Sequence, residues 1–170
     1  MGRLQRMVII APLALVTLVG AAPWRGLPPC VLGRFGGITP TDSEGTVVGA
    51  GDPSDWGCLG GQARGPADVL PPPATQFCFE PAYPNPSSGE VRLRFTLPRA
   101  SLVSISAYGQ KHGPHSAFVV RALAEQNFSA GVFELVWDGN DDQGARLPPG
   151  LYRVVMIVPD GTLCGDVEIR

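Results

Sequence analysis

The sequence predicts an all-β fold, an antiparallel β-sandwich of six strands over residues 77–170, or seven if the lead-in segment pairs. Three observations predict it. In Glu90–Leu97, Val91, Leu93, Phe95 and Leu97 face one way while Glu90, Arg92, Arg94 and Thr96 face the other; this period-two alternation marks a strand with one buried and one wet face. Similar runs recur between turn signals at the intervals of a sandwich. Finally, 22 Gly and 18 Pro in 170 residues favour many turns and short strands over long helices.

In chain order, residues 1–22 read as a signal peptide. Arg3 and Arg6 form a positive start, Met7–Val19 an apolar run and Gly20-Ala21-Ala22 a small-residue cleavage site. The run is shorter than the roughly 20 apolar residues that span a bilayer, and Pro12 interrupts it. No membrane span is expected after cleavage. Removal takes two of the 13 basic residues and none of the 15 acidic ones, so 11 face 15, which leaves no basic surface for nucleic acid.

Residues 23–76 are an irregular Gly/Pro-rich segment and linker. Pro28-Pro29, Gly36-Gly37, Gly60-Gly61 and Pro71-Pro72-Pro73 break every candidate element, leaving Gly45–Ala50, with Thr46, Val47 and Val48, as a possible short strand. Asp52 and Asp55 offer few oxygens for a calcium cage. The expectation at Asp52–Cys58 is an Asx-type turn that tucks Trp56 against the domain beside a disulfide.

Beyond the first strand, Ser101–Tyr108 turns Val103, Ile105 and Ala107 inward, and Gly109–His115 is a polar loop. Ala117–Leu123 is the next strand, with Phe118, Val120 and Ala122 inward, and Gln126–Gly131 the turn after it. Val132–Trp137 alternates again; Leu151–Val158 is apolar except for Arg153; Pro159-Asp160-Gly161 makes a hairpin into Thr162–Ile169. The predicted core is Val91, Leu93, Phe95, Ile105, Leu135, Trp137, Tyr152 and Val154.

Between these last strands, Trp137-Asp138-Gly139-x-Asp141-Asp142-x-Gly144 is followed by Gly150-Leu151-Tyr152 and preceded by Ala82-Tyr83-Pro84-Asn85-Pro86. In this order the segments resemble the immunoglobulin-like domain related to that of the flagellar hook-capping protein (FlgD-like), and are similar to the C-terminal sorting domains of type IX secretion cargo. The resemblance covers roughly residues 79–170. It implies an immunoglobulin-like sandwich whose structural motif is Tyr83, Asn85, Trp137, Asp138, Gly139, Asp141, Asp142, Gly144, Gly150 and Tyr152. It also implies an exported non-enzymatic module, a surface structural or adhesion element or a sorting (secretion-anchoring) domain. The implied setting is the cell surface, medium or periplasm of a Gram-negative-type bacterium, with secretion machinery or other surface proteins as partners. Two departures stand out: only residues 23–76 separate leader from domain, where sorted cargo carries a large effector, and a signal peptide does not suit flagellar export.

Chemistry is sparse. Cys30, Cys58, Cys78 and Cys164 all follow the leader and suit two disulfides in an oxidising compartment. Three pairings are open; Cys30–Cys58 with Cys78–Cys164 is expected, because each pair would staple one region. A zinc site lacks Cys-x-x-Cys, and the only histidines, His112 and His115, share one loop. The same shortage, with no Gly-x-Ser-x-Gly elbow, leaves no nucleophilic triad. Asp138, Asp141 and Asp142 lack EF-hand spacing and its closing Glu, and turn capping explains them. No phosphate-cradling or dinucleotide loop occurs. No catalytic, metal or cofactor residue is therefore expected. The alternative is a small carbohydrate-binding or hydrolytic secreted domain, with Tyr83, Tyr108, Trp24 or Trp56 as the sugar-facing aromatics.

Overall fold

A computed structural model describes residues 28–59, 75–110 and 116–170, together with the backbone of Val8–Ile9. The rest of the expected signal peptide, Trp24, the proline triplet and the His112–His115 loop lie outside the described residues. The strands are β1 (Val8–Ile9), β2 (Gly57–Cys58), β3 (Cys78–Phe79), β4 (Val91–Leu97), β5 (Ser101–Gln110), β6 (Ala117–Phe128), β7 (Gly131–Trp137), β8 (Gly150–Val158) and β9 (Gly161–Ile169), with one 3-10 turn at Pro29–Val31. They form two sheets, β1-β7-β4-β3-β2 and β6-β5-β8-β9. All neighbours are antiparallel except β1, which runs parallel to β7 with Val8 opposite Glu134.

The β-sandwich expected over residues 77–170 is thus present, with β3–β9 in it. Every predicted core residue is buried, and Trp137, Phe95 and Leu93 are among the largest fully enclosed side chains. Across β4 and β7, Val91 faces Trp137, Leu93 faces Leu135 and Phe95 faces Phe133. Phe95, Phe128 and Phe133 close one end of the core with ring centroids 4.9–5.4 Å apart. At roughly 1.5–3 kcal/mol per large apolar side chain buried, this interior is the main stabilising term.

Sequence-based boundaries move: β5 runs on through Gln110, so Gly109 and Gln110 are strand and not part of the expected polar loop. The third long strand, β6, continues to Phe128, and the turn shrinks to Ser129-Ala130. Phe128 is what extends it, since that ring turns inward onto Phe95 and Phe133. Of the three residues expected inward on β6, only Val120 is buried, whereas Phe118 and Ala122 are exposed. Here β6 is the outer strand of its sheet, and register shifts beside Ile105 and Ala107 disturb its pairing with β5. Gly45–Ala50 forms no strand, only an isolated bridge between Thr41 and Val47.

Residues 28–59 act as a strap. Val31 and Phe35 join Tyr108 and Val155 in a second apolar cluster on the outer face of the β6-β5-β8-β9 sheet. Val154, Met156 and Val158 of the same β8 belong to the main core. Both faces of β8 are therefore covered, which accounts for its nearly unbroken apolar run. The strap then passes the free side of β9, buries Trp56 against Phe79 (centroids 5.0 Å apart) and ends as β2 beside β3.

This path overturns the expected cysteine pairing. Cys58 is bonded to Cys78, linking β2 to β3, and Cys30 and Cys164 are both free thiols. Pairing by proximity in sequence fails because the strap carries Cys30 and Cys58 to opposite sheets.

Trp56 is as expected, buried beside the disulfide, yet it holds the left-handed φ of +59°. A large residue there is costly unless its surroundings fix it. The fixing surface is Gly165, where an added methyl would collide with the indole. Gly165→Ala is expected to expel Trp56 and cost about 1–3 kcal/mol, read as a lower denaturation midpoint and red-shifted tryptophan emission. An unchanged midpoint and emission would refute the close seating of Trp56.

Candidate functional site

Two groups of motif residues sit at the two outer strands of the β6-β5-β8-β9 sheet. On β9, alternate backbone groups point away from β8, and from Cys164 O to Arg170 N–H each meets a partner. Trp56 N–H donates to Cys164 O (2.6 Å), and Asp166 N–H donates to Asp55 Oδ2 (3.1 Å). Asn85 Nδ2 donates to Asp166 O (2.9 Å), while Glu168 N–H donates to Asn85 Oδ1 (3.0 Å). Ser87 then takes over as a strand would, giving its N–H to Glu168 O and accepting from Arg170 N–H, each at 2.8 Å. Asn85 is completely buried, and the Tyr83–Pro84 and Asn85–Pro86 bonds are cis. A carboxamide carries both a donor and an acceptor, so Asn85 can stand in for a peptide group here. Sealed in this way from Cys164 O onward, that part of β9 offers no open edge for another chain to extend.

Tyr83, two residues earlier, reaches the other sheet. It pairs with Arg92 of β4 through its backbone, and its hydroxyl donates to Glu134 Oε2 at 2.5 Å. Burial first, and then this bond, push the phenol up to about 12. The lead-in motif therefore ties β4 and β7 to β9.

The second group is the 137–152 connection. Asp138 Oδ1 accepts from Asn140 N–H, and Asp141 Oδ1 accepts from both Gln143 and Ala145 N–H. Asp142 covers the outer side of β6, donating its N–H to Val120 O (3.1 Å) and accepting Ala122 N–H on Oδ1 (3.0 Å). Trp137 Nε1 donates to Asn140 O (3.0 Å), and Tyr152 Oη donates to Pro148 O (2.7 Å). Gly139 and Gly144 take φ of +72° and +80°, and Gly150 opens β8. These carboxylates are occupied as turn caps, and no cluster of three or more metal-ligating side chains exists among the described residues. An open groove of about 580 Å³ lies beside this connection, lined in part by Phe118, Val119, Pro148 and Tyr152.

A third feature was not anticipated from sequence. On the outer face of β8 and β9, Arg153 and Asp166 form a two-pronged ion pair, Nε–Oδ1 2.6 Å and Nη2–Oδ2 2.7 Å, with Asp166 fully buried. The strap closes over it: the Phe35 ring lies 4.7 Å from the guanidinium, Arg153 Nη1 donates to Cys30 O, and Gly36 N–H donates to Asp166 Oδ2. The one signal in the sequence was Arg153 interrupting an otherwise apolar strand.

Asp55 is the perturbed acid of this region. Burial first, then the neighbouring Asp166 carboxylate, raise it to about 7. An unfolded aspartate titrates near about 3.9, so the native chain retains a proton that the unfolded chain has released. That contribution is complete below about pH 4 and is lost as pH rises through 7, up to about 4 kcal/mol in all. Glu80, raised by its burial, acts with the same sign. The thermal midpoint should therefore fall from about pH 5 to about pH 8. Asp55→Asn, which keeps the acceptor for Asp166 N–H, should flatten the slope; a wild-type midpoint that rises over this range would contradict it.

Of the aromatics named for sugar binding, the three within the described residues are otherwise engaged: Trp56 and Tyr108 are buried, and Tyr83 is bonded to Glu134. No curated protein and no solved structure matches the chain. The family model described as FlgD Ig-like domain matches residues 117–160, from the start of β6 to the turn after β8, and in this stretch the chain is similar to that domain.

Proposed function

We propose that this chain is an exported, non-enzymatic β-sandwich module that serves as a structural or adhesion element at the surface or in the periplasm of a Gram-negative-type bacterium. The observation that carries this reading is how the motif's polar side chains are used. Asn85 and Asp142 seal part of each of the two outer strands of one sheet, and Asp138 and Asp141 cap turns. The similarity of residues 117–160 to the FlgD Ig-like domain supports the same reading. The Cys58–Cys78 disulfide favours an oxidising destination. Its partners are other surface proteins or secretion machinery.

The test is intact mass on full-length protein expressed in such a bacterium and recovered separately from cells, periplasm and medium. Loss of residues 1–22 with Arg170 retained is the expected result. Loss of the whole 79–170 region would instead identify a disposable sorting signal of the type IX kind. Cytoplasmic protein with an intact N-terminus would end the export reading.

A further inference from the structure

We propose that Cys30 and Cys164 form a second disulfide, which locks the strap over the outer face of one sheet as Cys58–Cys78 locks its other end to the opposite sheet. Each thiol is the main influence on the other's proton affinity. Both rest on the same apolar cluster as Val31, Phe35, Tyr108 and Val155, and Cys164 lies opposite Val155 in the β8–β9 ladder. The backbone is held on either side: Arg153 Nη1 donates to Cys30 O, and Trp56 N–H donates to Cys164 O. The main chain at both residues is thus held in place beside the shared cluster. Residues 28–59 would then be fixed covalently near both ends, by Cys30 and by Cys58.

The bond forms by thiol–disulfide exchange with a disulfide-bearing oxidant of an exported compartment, either a dithiol oxidase or oxidised glutathione. Cys164 chiefly, and the Arg153 charge against the effect of burial, lower the proton affinity of Cys30, whereas Cys164 is pushed well up by Cys30 and by burial. Cys30 is accordingly the first nucleophile. Its thiolate attacks one oxidant sulfur, and the other oxidant sulfur leaves and takes up a proton. Cys164 then loses its proton and attacks the Cys30 sulfur, displacing the second oxidant thiol. Two electrons and two protons pass from the cysteine pair to the oxidant disulfide.

Full-length protein, exported or refolded with oxidised glutathione, is unfolded in N-ethylmaleimide without reductant, weighed, and digested with trypsin. Each cysteine falls in its own tryptic peptide. The expected result is no maleimide uptake and a linked pair joining Gly26–Arg34 to Val154–Arg170. Maleimide on both Cys30 and Cys164 with Cys58–Cys78 closed would overturn the proposal, as would glutathione or a second chain attached to either residue. In Cys30→Ser, amide exchange over residues 28–36 should rise by about tenfold or more while the β4–β7 ladder stays protected. Unchanged exchange there would refute the locking role. A missing link in correctly exported protein would leave the module reading intact, so the two proposals fail separately.

Discussion

Trp137→Ala is expected to cost about 3–5 kcal/mol, among the largest losses for single substitutions in the sandwich. The indole is 1% exposed, sits opposite Val91 in the β4–β7 ladder and meets the Tyr152 ring edge-on at 6.0 Å. Its removal leaves a cavity that rigid sheets on both sides cannot close. The loss also reaches the motif loop. Without Trp137 Nε1, Asn140 O has no indole donor, and the turn that places Asp142 against Val120 and Ala122 loosens. Trp137→Phe retains most of the burial and loses the hydrogen bond, so it should cost less, about 1–2 kcal/mol. Urea denaturation of the three proteins checks the order. Equal losses for Ala and Phe would show that the hydrogen bond, not the packing, dominates at this site.

The elements that sequence reading recovers are those whose cause is local. Alternation in Val91–Leu97 and Val103–Ala107 specifies which face is buried, and Val91, Leu93, Phe95, Val103 and Ile105 are indeed enclosed. Asp138, Asp141 and Gly144 act within their own turn, so reading them as turn residues holds. What escapes such reading depends on contacts across long stretches of chain. Cys58–Cys78 follows from the route of the strap, and nothing in the 28–59 composition signals that it wraps the sandwich. Asn85 reads as one residue of the lead-in segment, yet its amide is aligned with Asp166 and Glu168, some 80 residues away. Phe118 was assigned inward by parity, which fails because β6 is an outer strand with shifted register.

Asp166→Asn is expected to cost about 3–5 kcal/mol, because it leaves the Arg153 charge largely out of water without its counter-charge. The pair is cross-strand, Arg153 opposite Asp166, and the strap seals it with Phe35 and Gly36. Loss of the carboxylate should therefore release the strap before the sandwich. Amide exchange over 28–36 should rise first, and unfolding follow at lower urea than in wild type. Replacing both charges, as in Arg153→Met with Asp166→Asn, should recover much of the loss, since removing a buried pair together is often close to neutral. Asp55 provides a separate readout. Burial is the main cause of its raised pKa and the Asp166 charge the next, so Asp166→Asn should bring the Asp55 titration down while leaving it above an exposed aspartate. A carbon-detected NMR titration of Asp55 follows this directly. A single variant within about 1 kcal/mol of wild type would mean that water reaches Arg153. The strap would then be a loosely laid cover, held chiefly by its covalent links and the buried Trp56.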